Sequence, residues 1–179
     1  MSKKVLVLSS SPRRGGNSDL LADQFISGAQ EAGHQTEKII LKDKKINYCT
    51  GCGTCQNEKK PCPQKDDMAG ILEKMIDVDV IAFATPVYFY TMCAQLKTFI
   101  DRCCSRYTEI TGKEFHFIIT AADKNEKATK RTLEEFRGFM SCLKGAKEKT
   151  TISGVGAWSI GDIKGKPVMK KAFESGRRV

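Results

Sequence analysis

Five short runs rich in apolar or β-branched residues alternate with five amphipathic helical stretches along this chain. Strict alternation constrains the fold more than any single motif. A helix between each pair of strands forces parallel pairing through right-handed crossovers and places helices on both faces of one sheet. The 179 residues suit one domain, 1–179, large enough to bury a core without staples. The expected fold class is α/β: a three-layer sandwich around a five-stranded parallel sheet of order 2-1-3-4-5.

Val5–Leu8 reads as strand one, and residues 19–33 as helix one, with Leu20, Leu21, Phe25, Ile26 and Ala29 on one side and Gly33 as its stop. Thr36–Leu41 reads as strand two, and Asp66 or Asp67 as the cap of helix two, whose buried stripe is Met68, Ile71, Leu72, Met75 and Ile76. Val78–Ala84 is strand three, nearly continuous in apolar residues as a doubly covered strand should be. A rigid aromatic loop follows at Thr85–Thr91, then helix three from Ala94 to Ser105. Phe115–Thr120 is strand four, residues 128–143 helix four, Thr150–Val155 strand five, and Pro167 opens a last helix running through Ser175. His34 reads as a solvated connector, and His116, alternating with apolar neighbours, as structural.

In such sheets ligands bind beyond the C-terminal strand ends, where strand order reverses. With order 2-1-3-4-5, the loops after strands one and three flank that point. The first is Ser9-Ser10-Ser11-Pro12-Arg13-Arg14-Gly15-Gly16-Asn17-Ser18. Amide groups at a helix N-terminus have no internal partners and carry positive partial charge. Hydroxyls of Ser9, Ser11 and Ser18, the Asn17 amide and the charge of Arg13 or Arg14 add donors suited to a phosphate monoester. The loop is neither a Walker A sequence nor Gly-x-Gly-x-x-Gly, and an ordinary polar turn is the competing reading.

The formal charge is +9, with lysine enriched at 42–45 and 124–131. No nucleic-acid motif accompanies it, so phosphorylated nucleotide ligands account for the charge better than DNA or RNA. No apolar run approaches the roughly 20 residues that span a bilayer, and the N-terminus enters a strand directly, so no membrane association and a cytoplasmic location are expected. Eight cysteines without an export signal argue against structural disulfides. Cys93, Cys103, Cys104 and Cys142 fall in helical-looking stretches and read as packing or incidental thiols.

Ser9–Arg13 with Gly16-Asn17-Ser18 resembles the FMN phosphate loop of the NADPH-dependent FMN reductase family. Thr85-Pro86-Val87-Tyr88, followed by Ala94-Gln95-Leu96-Lys97 and Phe99-Ile100-Asp101-Arg102, resembles that family's flavin-edge loop and next helix, and Gly161-Asp162-Ile163-Lys164-Gly165 is similar to its last loop. The resemblance implies a flavodoxin-like fold, FMN, and a homodimer in which a neighbouring subunit helps wall the flavin. Ser9, Ser11, Arg13, Asn17 and Ser18 would then hold the phosphate. Thr85, Pro86, Val87, Tyr88 and Phe89 would meet the ring, and Ala121, Ala122 and Asp123 would form a third side.

The long loop at 43–65 carries Cys49-Thr50-Gly51-Cys52-Gly53-Thr54-Cys55 and Cys62. Cysteines at C-x2-C-x2-C can wrap one cubane, as in ferredoxin runs, whereas structural zinc usually shows separated pairs. The motif resembles that of the archaeal and bacterial iron–sulfur flavoproteins, which implies a [4Fe–4S] cluster on Cys49, Cys52, Cys55 and Cys62. Lys59, Lys60 and Lys65 would offset the thiolate charge. A loop of free or redox-active thiols stands beside that reading. The expected function is an FMN-dependent oxidoreductase taking electrons from NADH or NADPH and passing them to a flavin, quinone or other acceptor. An electron carrier without its own small-molecule substrate is the alternative, although flavodoxins as a class are acidic. A basic flavoprotein acting as a binding or regulatory partner is a third. No Ser-His-Asp or paired-carboxylate constellation appears, so no residue is assigned as acid or base.

Overall fold

The computed structural model describes residues 1–58 and 60–179; Lys59 lies outside them. The strands are β1 (Lys4–Ser9), β2 (Gln35–Ile40), β3 (Val80–Tyr88), β4 (Thr91–Met92), β5 (Glu114–Thr120) and β6 (Lys147–Gly154). The helices are α1 (Asn17–Glu31), α2 (Thr54–Asn57), α3 (Met68–Asp77), α4 (Ala94–Arg102), α5 (Lys130–Ser141) and α6 (Pro167–Arg177). The sheet order is β2-β1-β3-β5-β6, all parallel, with β4 added antiparallel to β3. Counting the parallel strands alone, this is the expected 2-1-3-4-5.

Alternating side chains of the central strands feed two cores. Leu6, Leu8, Ile81, Phe83, Phe115 and Phe117 face α3, α4 and α5, whose Leu72, Phe99 and Phe136 complete one cluster. Val5, Val7, Val80, Ala82, Ile118 and Ile152 face α1 and α6, through Leu21, Phe25 and Ala172. Phe83 anchors the first, with ring centroids of Phe99, Phe115, Phe117, Phe136 and Phe139 all within 6.4 Å. In the second, α1 and α6 touch backbone to backbone. A Cβ on Gly28 would lie 2.0 Å from the Phe173 carbonyl oxygen, and one on Gly176 would lie 1.9 Å from that of Phe25. Two helical glycines, each costing its helix about 1 kcal/mol relative to alanine, permit this approach and draw α6 onto α1.

Three departures from the sequence expectation shape the site. The stretch 85–91 is a β-hairpin: β3 runs on to Tyr88, Tyr88 pairs with Thr91, and Phe89 and Tyr90 turn the chain at φ 47° and 67°. Positive φ at both central residues matches the twist of a two-residue hairpin, although bulky side chains there carry strain. α1 starts two residues earlier than expected, so Asn17 and Ser18 belong to its first turn. α4 stops at Arg102, and Cys103–Ser105 is a separate tight 3-10 turn. His116 is buried against Phe25, centroids 4.9 Å apart, with neither ring nitrogen hydrogen-bonded, and burial pushes its pKa down to about 4. His34 is tied down rather than solvated: Nδ1 accepts from the Lys3 amide at 3.1 Å, and Nε2 lies 3.0 Å from the Val179 carbonyl oxygen.

Candidate cofactor cavity and cysteine loop

Beyond the C-terminal ends of β1, β3, β5 and β6 lies a cavity of ≈ 360 Å³. Ser11, Arg13, Gly16, Asn17 and Ser18 line one end; Pro86, Val87, Tyr88 and Phe89 form a wall; Thr120, Ala122, Ala157, Trp158 and Ile160 complete it. β1 and β3 are neighbours whose connections leave in opposite directions, so the cavity sits at the switch point of the sheet.

The polar end is built on the first turn of α1. Gly16 caps the helix without a side-chain hydrogen bond, and a Cβ there would meet Ser11 Oγ at 2.5 Å. Only glycine lets the loop fold this closely. Ser11 Oγ donates to the Arg13 carbonyl at 3.0 Å and accepts from the Arg13 amide at 3.2 Å, which fixes the loop's curl. Ser18 Oγ is buried, lines the cavity and has no hydrogen-bond partner. A buried hydroxyl without a partner is costly unless a ligand supplies one. Arg13 reaches across the mouth to the Trp158 carbonyl at 2.9 Å.

Other predicted residues stand behind the cavity. Ser9 is fully buried and donates to Asp19 Oδ1 at 2.7 Å. Burial alone would raise the Asp19 carboxyl; the Lys38 ammonium at 2.6 Å and the Ser9 hydroxyl hold it below the usual range. Asn17 reaches the cavity, but its amide is committed elsewhere. It donates to the carbonyls of Ala157 at 3.2 Å and Ser159 at 2.8 Å, and accepts from the amides of Gly161 at 3.1 Å and Ile163 at 3.2 Å. Asn17 therefore positions the loop after β6, and Asp162 turns that loop by accepting from the amides of Trp158 and Ser159.

Thr85 is buried beneath the hairpin, where Oγ1 accepts from the Cys93 amide at 3.2 Å. Cys93 Sγ in turn donates to the Ser10 carbonyl at 3.1 Å, linking the two loops that flank the switch point. Glu135 of α5 accepts from Thr91 Oγ1 and the Met92 amide, and the Arg131 guanidinium lies 5.7 Å from the centre of the Tyr90 ring. Ala121 and Asp123 do not line the cavity; their carbonyls accept from the amides of Ala157 and Gly156 and hold the third loop in place. Ala122 and Thr120 do line it. Gly16, part of the expected phosphate loop, lines the cavity, whereas sequence reading missed Thr120, Ala157, Trp158 and Ile160 as lining residues. A lone Trp158 in a glycine-flanked polar loop was the available signal. Phe89, Trp158 and Ile160 are exposed at the mouth.

The cysteine loop is gathered by Arg102. Its Nη1 donates to the Asn47 carbonyl at 2.8 Å, Gln64 Oε1 at 3.1 Å and Asp66 Oδ2 at 2.6 Å; Nη2 donates to Asp66 Oδ1 at 3.0 Å and Cys62 Sγ at 3.6 Å. One buried guanidinium thus joins the start of the loop to its end. Burial would raise the Asp66 carboxyl, but Arg102 and the amides of Asn47 and Met68 hold it below the usual range. A cleft of ≈ 740 Å³ lies beside the loop, lined by Cys55, Cys62 and Cys104. Cys49 and Cys52 are exposed, and Cys52 Sγ sits 3.5 Å from Thr54 Oγ1. Burial, and then the charge and thiol of Cys55, push the Cys104 thiol up. Among the described residues, no three Cys, His, Asp or Glu side chains gather closely enough to hold a metal ion. The donor set has the soft chemistry an iron–sulfur cluster needs, but as folded the four thiols of the motif do not form its cage. Lys65 lines the cleft and Lys60 pairs with Glu58 at 2.8 Å. Among the described residues no helix is long and apolar enough to cross a membrane.

Comparison with known proteins adds to this geometry. An iron–sulfur flavoprotein of Methanocaldococcus jannaschii is 46% identical over 99 residues, 55% of this chain and 51% of that protein. A second iron–sulfur flavoprotein of that organism is 31% identical over 139 residues, 74% of this chain and 70% of its own length. In the first of these the match spans about half the relative's length. Among solved structures, an NAD(P)H:quinone oxidoreductase from Methanothermobacter marburgensis superposes with a TM-score of 0.74 at 19% identity, covering 99% of this chain and 97% of that one, which shows a shared flavodoxin-like fold. The model of the NADPH-dependent FMN reductase family matches residues 3–147. With most of its length under that match, the chain belongs to the NADPH-dependent FMN reductase family.

Proposed function

We propose that the chain binds FMN in the switch-point cavity and uses it to oxidise NAD(P)H in favour of a small acceptor such as a flavin or quinone. One observation carries this reading: a capless helix N-terminus and the unpartnered Ser18 hydroxyl share a single cavity with an apolar, aromatic wall. That combination fits a ligand with a phosphate at one end and a flat, largely apolar ring at the other. Bound there, FMN would accept a hydride from the nicotinamide and release electrons to the acceptor.

The chain's own residues supply binding and orientation. Ser11, Ser18 and the first amides of α1 would hold the phosphate, with Arg13 across its mouth. The backbone of Pro86–Phe89 would meet the polar edge of the ring, and Ala122, with no side chain beyond Cβ, leaves the third wall open to it. Thr85, Asn17, Ala121 and Asp123 hold these loops rather than the ligand. The exposed Phe89, Trp158 and Ile160 would be covered by a second subunit, in a homodimer that closes the cavity mouth. Anaerobic mixing of the FMN-loaded protein with NADH and with NADPH tests the activity: bleaching of the flavin absorbance by either, and its return on adding a quinone, is expected. An electron carrier would not be reduced by either nucleotide.

The names of the relatives favour a second reading, a [4Fe–4S] cluster on Cys49, Cys52, Cys55 and Cys62 that exchanges electrons with the flavin. The loop would have to draw its thiols together to hold one. Anaerobic reconstitution with iron and sulfide, compared between the wild type and a Cys49→Ser/Cys52→Ser variant, tests it.

A further inference from the structure

A third thiol, from outside the four-cysteine motif, lines the cleft beside the cysteine loop. Cys104 sits on the tight turn Cys103–Ser105, and it lines the same cleft as Cys55 and Cys62. Its neighbour Cys103 points the other way and is fully buried in the core. α2, the single turn that carries Cys55, packs on the Cys103–Ser105 turn with Cα atoms within 8 Å. Gln56 Nε2 donates to the Cys104 carbonyl at 2.7 Å and fixes that approach. The side chains of Cys55 and Cys104 are each half-buried and line this cleft together.

We propose that Cys55 and Cys104 form a redox-active dithiol that closes to an intramolecular disulfide by exchange with a small-molecule disulfide entering the cleft. The first protein thiolate attacks one sulfur of the reagent, forms a mixed disulfide and expels one reagent thiol. The second protein thiol attacks that mixed disulfide, forms the Cys55–Cys104 bond and expels the other reagent thiol. The two protein thiols lose their two protons and two electrons, and the reagent gains both pairs as two thiols. Cys49 is exposed, Cys142 Sγ lies 3.7 Å from the Gly138 carbonyl oxygen, and the other four cysteines are placed for other contacts. Cys62 Sγ is held by Arg102 Nη2 at 3.6 Å, Cys52 lies against Thr54, and Cys93 and Cys103 are buried. A disulfide requires Cα atoms about 4.4–6.8 Å apart, a range that the packing of a one-turn helix on a tight turn can satisfy without moving the sheet. Closing this bond takes Cys55 out of the four-cysteine motif, so the disulfide and a cluster on that motif exclude one another. Nothing in this proposal rests on the flavin reading.

The test treats the full chain, prepared without added iron, with excess 2-hydroxyethyl disulfide. N-ethylmaleimide then caps the remaining thiols before non-reducing peptide mapping by mass spectrometry. The expected product links the peptides holding Cys55 and Cys104, lighter by the two lost hydrogens, in most of the protein. In Cys104→Ser, Cys55 should instead accumulate a stable mixed disulfide with half of the reagent. Cys55→Ser reads the same partnership from the other side, with the mixed disulfide on Cys104, and circular dichroism checks that each variant is folded. Cys55 linked to Cys49, Cys52 or Cys62, or Cys55 and Cys104 both recovered capped in the wild type, would overturn the proposal.

Discussion

Arg102 and Asp66 form a two-point ion pair, at 2.6 and 3.0 Å, with both side chains almost wholly out of solvent. The pair joins the last residue of α4 to the segment that leads into α3, and the spare donors of Arg102 reach Asn47, Gln64 and Cys62. The cysteine loop is therefore hung from a point in the core.

Removing the guanidinium leaves a buried carboxylate without its partner, which costs about 3–5 kcal/mol in comparable pairs. Arg102→Ala should lower the midpoint of urea unfolding accordingly, and limited proteolysis should cut first within residues 47–65. The Asp66 carboxyl is held low in the folded state, so its contribution is full above the unfolded carboxylate range and is lost as pH falls through the folded value. Wild-type stability should drop more steeply on strong acidification than that of the double variant Arg102→Met/Asp66→Leu.

His116 titrates in a separate window. The folded ring stays neutral down to about pH 4, whereas an unfolded histidine protonates near 6.5, the ordinary imidazole value. Between those values the unfolded chain binds the extra proton, so stability rises with pH from about 4 to 6.5 and is flat above it. At about 1.4 kcal/mol per unit the full swing is on the order of 3 kcal/mol. His116→Phe should remove that slope from the pH dependence of unfolding.

The contact of α1 with α6 has no room for a methyl group on Gly28. Gly28→Ala should raise the intrinsic helix propensity of α1 and still destabilise the protein, by about 1–3 kcal/mol or more, because two backbones must part. A fall in thermal midpoint checks this. The exposed Gly70 of α3, where a Cβ meets nothing within 4 Å, serves as the control.

Asn17→Ala removes four hydrogen bonds to the loop after β6 and none that were free for a ligand. It should loosen Trp158 and Ile160, seen as faster amide exchange at 157–163, and weaken FMN binding indirectly. Ser9→Ala should affect stability through Asp19 and leave FMN affinity nearly unchanged.

Strand and helix alternation made the layers and strand order legible, because each crossover helix carries a clear apolar stripe. The parallel strands β1, β3 and β5 are doubly covered and read as near-continuous apolar runs. The hairpin at 85–91 was not legible: nothing in Phe89-Tyr90 announces positive φ, and tertiary contacts from Glu135 and Arg131 hold it. At the site, residue type identified the donors but not their direction. Ser9 and Ser18 look alike in sequence. Alternation along β1 and the start of α1 turn one toward Asp19 and the other toward the cavity. Cys104 reads as a packing or incidental thiol because it falls in a helical-looking stretch, and only the stop of α4 at Arg102 separates its surroundings from those of Cys103.

In the proposed complex, FMN sits on the first turn of α1, within reach of Ser18 and Arg13. Titration of FMN into the apoprotein, followed by quenching of flavin fluorescence, measures it directly. The wild type should bind one FMN per chain. Arg13→Ala/Ser18→Ala, losing two hydrogen bonds to a charged group at about 1.5–3 kcal/mol each, should bind at least a hundredfold more weakly, with its circular dichroism unchanged. Equal affinity in the wild type and in this folded double variant would contradict it.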